Sequence, residues 1–496
     1  MPDTLNSAQS DTQSDNQVWL REISVTKGGP APLYRQLYTG IRGLIVAGRW
    51  LPEGTRLPSS RFLAGSLGVS RNTVVLAYQR LAEDGYVRGM AGGGTVVTAA
   101  ATKARAVEVD RPRRARTPRD KPVSRGVGLP NTAFPVGVPP VDLFPTALWA
   151  SLTHRRLRVA GERVLLGADA VGRWPVREAV AAYLGVVRGI RCTPDQVVLT
   201  RGLEAGLDVL VRALLAPGAG VWCEEPGPVG LRRVLTSAGR VAHPVPVDAD
   251  GFDVPAACTT APPAGMAVLS ASRQLPLSVP LSDKRRTLLL DHAAAHRMWV
   301  VEYEPDAAFL LPDAPPPLVT TDPDRRVVHI GTFNTVLFPQ VHAGYCVLPP
   351  DLVEPVGDLL GATGGEVPAL TQEVLADFLD HHRFARFLAR ARQTAQRRHA
   401  RLAESLSTLV RNSSEIDLEL LGRPGEGGYL TALFPSLVDD CAMVRRAHRV
   451  GVQVTALRRY YQSEPNRSGL VFGTAGVREE AIVQAMRLMV PILARR

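Results

Sequence analysis

Very few residues of this chain can do amine chemistry. Lysine and arginine together number 58, yet only Lys27, Lys103, Lys121 and Lys284 are lysines. A deprotonated lysine can form an imine with an aldehyde, whereas a guanidinium stays charged and cannot. Beyond Lys121 the one amine side chain is Lys284, in the helix-start segment SDKRR. A solvated cation at a helix end is the plain expectation there. The five cysteines, Cys192, Cys223, Cys258, Cys346 and Cys441, lie far apart with no CxxC spacing. That pattern argues against a disulfide framework or a zinc site and fits a reducing cytosol. His381 and His382 are adjacent among helix formers and read as surface residues, so no metal centre is expected.

A second set of residues is arranged for binding. In LPSSRFLAGSLGVSRNTVVLAYQRLAEDGYV, Leu57 to Val87, Ser59 and Ser60 can cap a short helix that turns Phe62, Leu63 and Leu67 inward. Gly68 permits a tight turn. Ser70 can cap the next helix, with Val74, Ala77, Tyr78 and Leu81 as its buried stripe. Arg71, Asn72 and Thr73 are left on its exposed first turn, the part of a recognition helix that reaches base edges and phosphates in a major groove. Gly92, Gly93 and Gly94 then allow a hairpin between Val87 and Val97. Upstream, Leu33, Leu37, Ile41, Leu44 and Ile45 recur at helical spacing between Pro32 and Gly48.

The elements that position these residues follow from composition. A chain of 496 residues predicts more than one domain. Apolar content of 45% and charged content of 21% are globular values. A net charge of +11 and a pI near 9.8 favour a polyanionic partner. Residues 1–17 are rich in Ser, Asp, Gln and Asn and are expected to be a disordered tail. No signal-peptide core and no bilayer-length apolar run occur, so a cytoplasmic, nucleoid-associated protein is expected, with no membrane partner. The DNA-binding unit is placed at 18–98. Residues 99–130 are Arg- and Pro-rich with no hydrophobic period, an extended basic linker. Its Arg111, Arg113, Arg114, Arg116, Arg119 and Lys121 are expected to add nonspecific phosphate contacts. From 131 to 496 the runs QVVLT, GVWCEE, MAVLS, MWVVEYE and RVVHIG alternate with helical stretches. They predict an α/β domain with a mostly parallel sheet covered by helices, and a small C-terminal subdomain from about 380.

The segments PLYRQL, EGTRLPSSR, LGVSRNTV and GYVRGMAGGGTVV resemble the winged helix of the GntR superfamily. The resemblance implies double-stranded operator DNA as partner. It implies contacts from Arg61, Arg71 and Thr73, with Gly92 and Gly93 bringing the wing backbone near the minor groove. A GntR winged helix followed by a basic linker and an α/β domain resembles the MocR-type regulators. Their second domain has the fold of type-I pyridoxal-phosphate (PLP) aminotransferases. PPVDLFPTALW, EEPGPVGLRRVL, ASRQLPLSVPLSDKRR, VVEYEPDAAF and GTFNTVLFPQVHAGY match that frame in spacing.

At the cofactor positions the residues depart from the family. The lysine expected after GTF is Thr335, preceded by Asn334. The phosphate-holding arginine before GY is His342. The aspartate that faces the pyridine nitrogen is Tyr303, between Glu302 and Glu304, and the tyrosine two residues on is Pro305. The ring-stacking aromatic is Pro228. The phosphate turn reads Arg201-Gly202-Leu203-Glu204, where Glu204 repels a phosphate and Arg201 offsets it in part. The tyrosine lent by the neighbouring subunit is Gly167. The resemblance thus implies a homodimeric regulator whose aminotransferase-like domain binds no cofactor and is catalytically inactive. Arg201, Arg273, Glu302, Tyr303, Glu304 and His342 are candidates to line a cleft for another small-molecule effector; a pure dimerisation scaffold is the alternative. Further readings are a PLP-responsive regulator holding PLP noncovalently, and an active aminotransferase.

Overall fold

The computed structural model describes residues 19–23, 25–26, 31–48, 51–90, 94–98, 133–167 and 169–494. The tail 1–17, the linker 99–130, and Gly92 and Gly93 lie outside the described residues. The chain divides into two compact units, Met1–Ser124 and Arg125–Arg496.

The first unit is built from α1 (Leu33–Ala47), β1 (Arg56–Leu57), α2 (Ser60–Leu67), α3 (Arg71–Glu83), β2 (Val87–Gly89) and β3 (Thr95–Val97). The strands pair antiparallel in the order β1-β3-β2. Leu37, Ile41 and Ile45 of α1 meet Leu63, Val74, Ala77 and Leu81 in one core, closed below by Leu57, Val87 and Val97. Trp19, in a short 3-10 turn over Trp19–Glu22, is buried in the same core. The expected caps are present. The Ser59 hydroxyl accepts from the Phe62 N–H and the Ser70 hydroxyl from the Thr73 N–H, while Gly68 ends α2 with φ 62°. Phe62 departs from expectation: it is 49% exposed. Leu63 and Ala64 fill the inward arc of α2, and Phe62 stands about 100° away from Leu63 on the helix.

The second unit runs α4 (Thr146–Ala160), α5 (Glu162–Leu166), α6 (Trp174–Arg188), β4 (Val197–Thr200), α7 (Leu203–Leu214), β5 (Gly220–Glu225), α8 (Val229–Ser237), β6 (Val241–Asp248), β7 (Gly251–Phe252), α9 (Val254–Thr260), β8 (Met266–Leu269), α10 (Asp283–His296), β9 (Trp299–Glu304), β10 (Val327–Thr332) and β11 (Gly344–Val347). These strands form one sheet in the order β4-β11-β10-β9-β8-β5-β6-β7. Pairing is parallel from β10 through β9, β8 and β5 to β6. β11 runs antiparallel to both β10 and β4, and the edge strand β7 antiparallel to β6. One face packs on α7 and α8 through Leu207, Leu210, Leu231 and Leu235. The other packs on α9 and α10 through Val254, Ala257, Leu289 and Ala293. Burial on both faces is why the strand sequences read as continuous β-branched runs.

The chain continues through α11 (Pro350–Thr363), α12 (Ala369–Asp380), α13 (His382–Asn412), β12 (Glu419–Leu421), β13 (Tyr429–Leu433), α14 (Asp440–Arg449), β14 (Thr455–Ala456), β15 (Gly469–Gly473) and α15 (Glu479–Leu493). The second sheet, β12-β13-β15-β14, is antiparallel. It has its own core with α13, α14 and α15, through Leu402, Leu406, Met443, Phe472 and Ile482. His381 caps α13, its ring accepting from the Arg383 N–H at 3.2 Å.

Candidate functional site

In the first unit the first turns of α2 and α3 are tied together. Arg71 Nε donates to Ser60 Oγ at 3.3 Å. Ser70 Oγ accepts from the Thr73 N–H at 3.1 Å and meets Thr73 Oγ1 at 2.8 Å. Farther along α3 the Tyr78 hydroxyl donates to the Pro58 carbonyl at 2.9 Å. This framework holds Arg61 exposed on the first turn of α2, and Arg71 and Asn72 exposed and Thr73 half-buried at the start of α3. The same turn carries the partial positive charge of a helix N-terminus, which favours phosphate. The hairpin expected between Val87 and Val97 is present, with those two residues directly paired.

In the second unit the candidate cleft lies beyond the carboxyl ends of the strands, where open α/β sheets place their ligands. Thr335 follows β10, and its hydroxyl donates to the Pro305 carbonyl at the end of β9. The Asn334 side-chain carbonyl accepts from the Ala343 N–H at 3.0 Å. Gly202, φ 128°, lies so close that an added Cβ would stand 2.7 Å from Asn334 Nδ2. Beside Thr335, between Pro305, Asp306, Leu275 and Tyr429, is a cavity of about 30 Å³. That is room for a water or two; pockets for drug-sized ligands run to roughly 300–1,000 Å³.

Strand alternation separates residues expected together. Tyr303 faces α7 and packs with Leu203, Cys223 and Ile330. Glu302 and Glu304 project from the opposite face, and both are buried and internally bonded. Glu302 accepts from the Leu318 N–H at 2.7 Å and contacts His329 Nδ1 at 3.0 Å. Glu304 takes a two-pronged contact from Arg188, at 2.9 and 2.7 Å, and the Ser272 hydroxyl at 2.6 Å. Burial alone would raise the Glu304 pKa, but His329 and Arg188 outweigh it and hold the carboxyl below its ordinary value.

The other candidates for a ligand cleft are also committed elsewhere. Arg273 is buried, bonded to Asp306 at 3.1 Å, Ser278 at 2.9 Å and the Tyr429 carbonyl at 2.9 Å, and lies 3.7 Å over the Tyr429 ring. It thereby joins the segment after β8 to β13. Burial pushes the Asp306 carboxyl up, against the pull of Arg273. Arg201 turns to the carbonyls of Glu366 at 3.0 Å and Gly364 at 2.8 Å, past the end of α11. His342 is exposed, with φ 47°, and its ring contacts Gln340 at 3.1 Å.

Glu204 sits in the first turn of α7, and a Cβ on Gly230 would stand 2.7 Å from its Oε1. A carboxylate of the chain itself thus lies between the starts of α7 and α8, where two helix N-termini would favour an anion. Pro228 is the buried N-cap of α8. Gly167 is exposed after α5, and Lys284 is exposed in the first turn of α10. Residues that sequence reasoning missed are the buried Arg188, Ser272, His329 and Glu224. Glu224 accepts from the Ser270 N–H at 3.0 Å, and burial pushes its carboxyl up to about 8.

Residues 33–97 match the family model for bacterial regulatory proteins of the gntR family. The larger unit has the aminotransferase fold. An archaeal alanine:glyoxylate aminotransferase superposes with a TM-score of 0.67 at 21% identity, over 74% of this chain and 91% of that one. The α-aminoadipate aminotransferase LysN of Thermus thermophilus does so with 0.66 at 22% identity, over 73% and 92%. A gntR winged helix on an aminotransferase-like domain defines a class of bacterial transcription regulator. The chain is 33% identical over 468 residues to the probable rhizopine catabolism regulatory protein MocR of Rhizobium meliloti, covering 92% of each. It is 31% identical over 461 residues to the pyridoxine biosynthesis transcriptional regulator PdxR of Corynebacterium glutamicum, covering 93% of this chain and 96% of the relative. The chain belongs to the MocR-type regulators of the gntR family. Among the described residues no helix is long and apolar enough to cross a membrane.

Proposed function

We propose that this regulator binds operator DNA as a homodimer and that its aminotransferase-like domain is a cofactor-free dimerisation scaffold. The observation that carries the reading is the fate of the cleft's polar groups. Arg201, Arg273, Glu302 and Glu304 are spent on internal bonds, His342 points to solvent, and the space beside Thr335 is about 30 Å³. The residues do not fit PLP. Thr335 has no amine, and the domain's lysine, Lys284, is exposed on α10. Tyr303 offers no carboxylate to a pyridinium, and Glu204 stands in the anion position. Catalytic inactivity follows from the same set.

DNA contact is assigned to Arg61, Arg71, Asn72 and Thr73, with the wing at Gly92 and Gly93. Because the partner is chromosomal DNA, the protein acts in the cytoplasm. Dimerisation is supported by Val159, Leu165 and Leu166, which are 74%, 75% and 81% exposed, and by Trp174 at 48%. Val159 lies in the last turn of α4 and Leu165 and Leu166 on the adjoining α5, and exposed apolar groups close together favour association. Light scattering of the purified protein should give a dimer, and a Leu165→Glu/Leu166→Glu variant a folded monomer that binds operator more weakly. A wild-type monomer at micromolar concentration would contradict the scaffold.

A second reading, a switch that holds PLP noncovalently, is favoured by one observation, the 31% identity to a regulator named for pyridoxine biosynthesis. A change in operator affinity on adding PLP would decide for it.

A further inference from the structure

We propose that Arg56 and Arg88 form a phosphate clamp on the outer face of the wing, outside the recognition helix. The inference rests on the DNA-binding reading above and adds two residues to it.

Register carries the argument. Arg56 of β1 pairs directly with Val96 of β3, and Arg88 of β2 pairs with the same Val96 from the other side. Residues directly opposite in a ladder share a face, so the three form one row across the sheet. Their immediate neighbours on the strands, Leu57, Val87 and Val97, point the other way into the core. The row therefore faces outward. Both arginines are exposed, yet Val96 between them is only 8% exposed. Long basic side chains flanking an apolar residue can cover it with their aliphatic stems and carry their charges to the rim.

A second observation fixes where Arg56 goes. A Cβ built on Gly94 would stand 2.7 Å from Arg56 Nε and 2.8 Å from Nη2. The guanidinium therefore lies close against Gly94, just before β3. Strands are spaced about 4.8 Å apart, so the two stems rise about 10 Å apart. That separation lets the guanidiniums bracket a minor groove about 6 Å wide. A polyanion laid across the row meets both guanidiniums. Contacts of this kind carry charge but no base information. The clamp thus sets affinity and salt dependence while Arg71 and its neighbours set sequence choice.

The test uses the full-length protein, a duplex selected by the wild type from a random pool, and an unrelated duplex of equal length. Fluorescence anisotropy across a salt series gives the slope of log affinity against log salt. Each lost phosphate contact should lower the slope by about 0.9. The Arg56→Gln/Arg88→Gln variant should lower it by about 1.8 on both duplexes and leave their affinity ratio unchanged. The Arg56→Lys/Arg88→Lys variant should keep a slope near wild type. A thermal melt confirms that each variant is folded. Normal wild-type binding with an unchanged slope in the glutamine variant overturns the clamp alone. A changed affinity ratio makes these residues base readers and also overturns it. Failure of the wild type to bind any duplex overturns the DNA-binding reading beneath it.

Discussion

Replacing Arg71 by alanine separates a binding role from a structural one. The side chain is exposed, and within the fold it makes the 3.3 Å hydrogen bond from Nε to Ser60 Oγ. An exposed bond of that length contributes at most about 0.5–1 kcal/mol, so the melting temperature of this small unit should fall by a few degrees at most. An arginine bidentate to a guanine in the major groove contributes roughly 1–3 kcal/mol of discrimination. The variant's operator affinity should therefore drop about 5- to 150-fold, with a much smaller loss on unrelated DNA. Anisotropy titration of both duplexes, beside a thermal melt, reads all three quantities. A folded variant with wild-type operator affinity would refute the placement of Arg71 at the bases.

Three further outcomes follow from the larger unit. Glu304→Ala leaves Arg188 buried without its partner, with side chains 6% and 4% exposed in the pair; denaturant unfolding should show a loss of about 3–5 kcal/mol, whereas an unchanged midpoint would make Glu304 a free cleft residue after all. Glu224 has a raised carboxyl, from 4.5 to about 8, so the folded state holds a proton that the unfolded state releases; stability should fall as pH rises from about 4.5 to about 8 and level off above. Glu224→Gln keeps an acceptor for the Ser270 N–H and should flatten that slope and raise the melting temperature at pH 8; an identical pH profile in the variant would show that Glu224 is ionised in the fold. Leu165→Glu/Leu166→Glu should dissociate the dimer, with light scattering as the readout.

Local features of the winged helix were readable from the sequence because each is set by near neighbours. Ser59, Gly68 and Ser70 act within one helical turn of themselves. Phe62 faces outward because on an eight-residue helix, Ser60–Leu67, the inward arc is narrow and adjacent apolar residues compete for it. The strands β4, β5, β8, β9 and β10 coincide with the β-branched runs, while the short antiparallel β11 gave no comparable signal. In the cleft, the substituted positions were legible but the fate of the polar groups was not. Arg201 meets carbonyls 163 and 165 positions away, and Arg273 meets Tyr429 across 156. Period-two alternation forbids Glu302, Tyr303 and Glu304 from lining one cleft together, and that alone separates the two glutamates from the tyrosine.

The central claim is that this aminotransferase-like domain works without PLP. The most direct measurement is operator affinity of the full-length protein with and without added PLP, read together with the visible absorption spectrum and borohydride trapping followed by mass spectrometry. Unchanged affinity, the spectrum of free PLP and no stoichiometric adduct within Arg125–Arg496 are expected. A PLP-dependent shift in affinity, or a stoichiometric adduct mapped to Lys284, would contradict it.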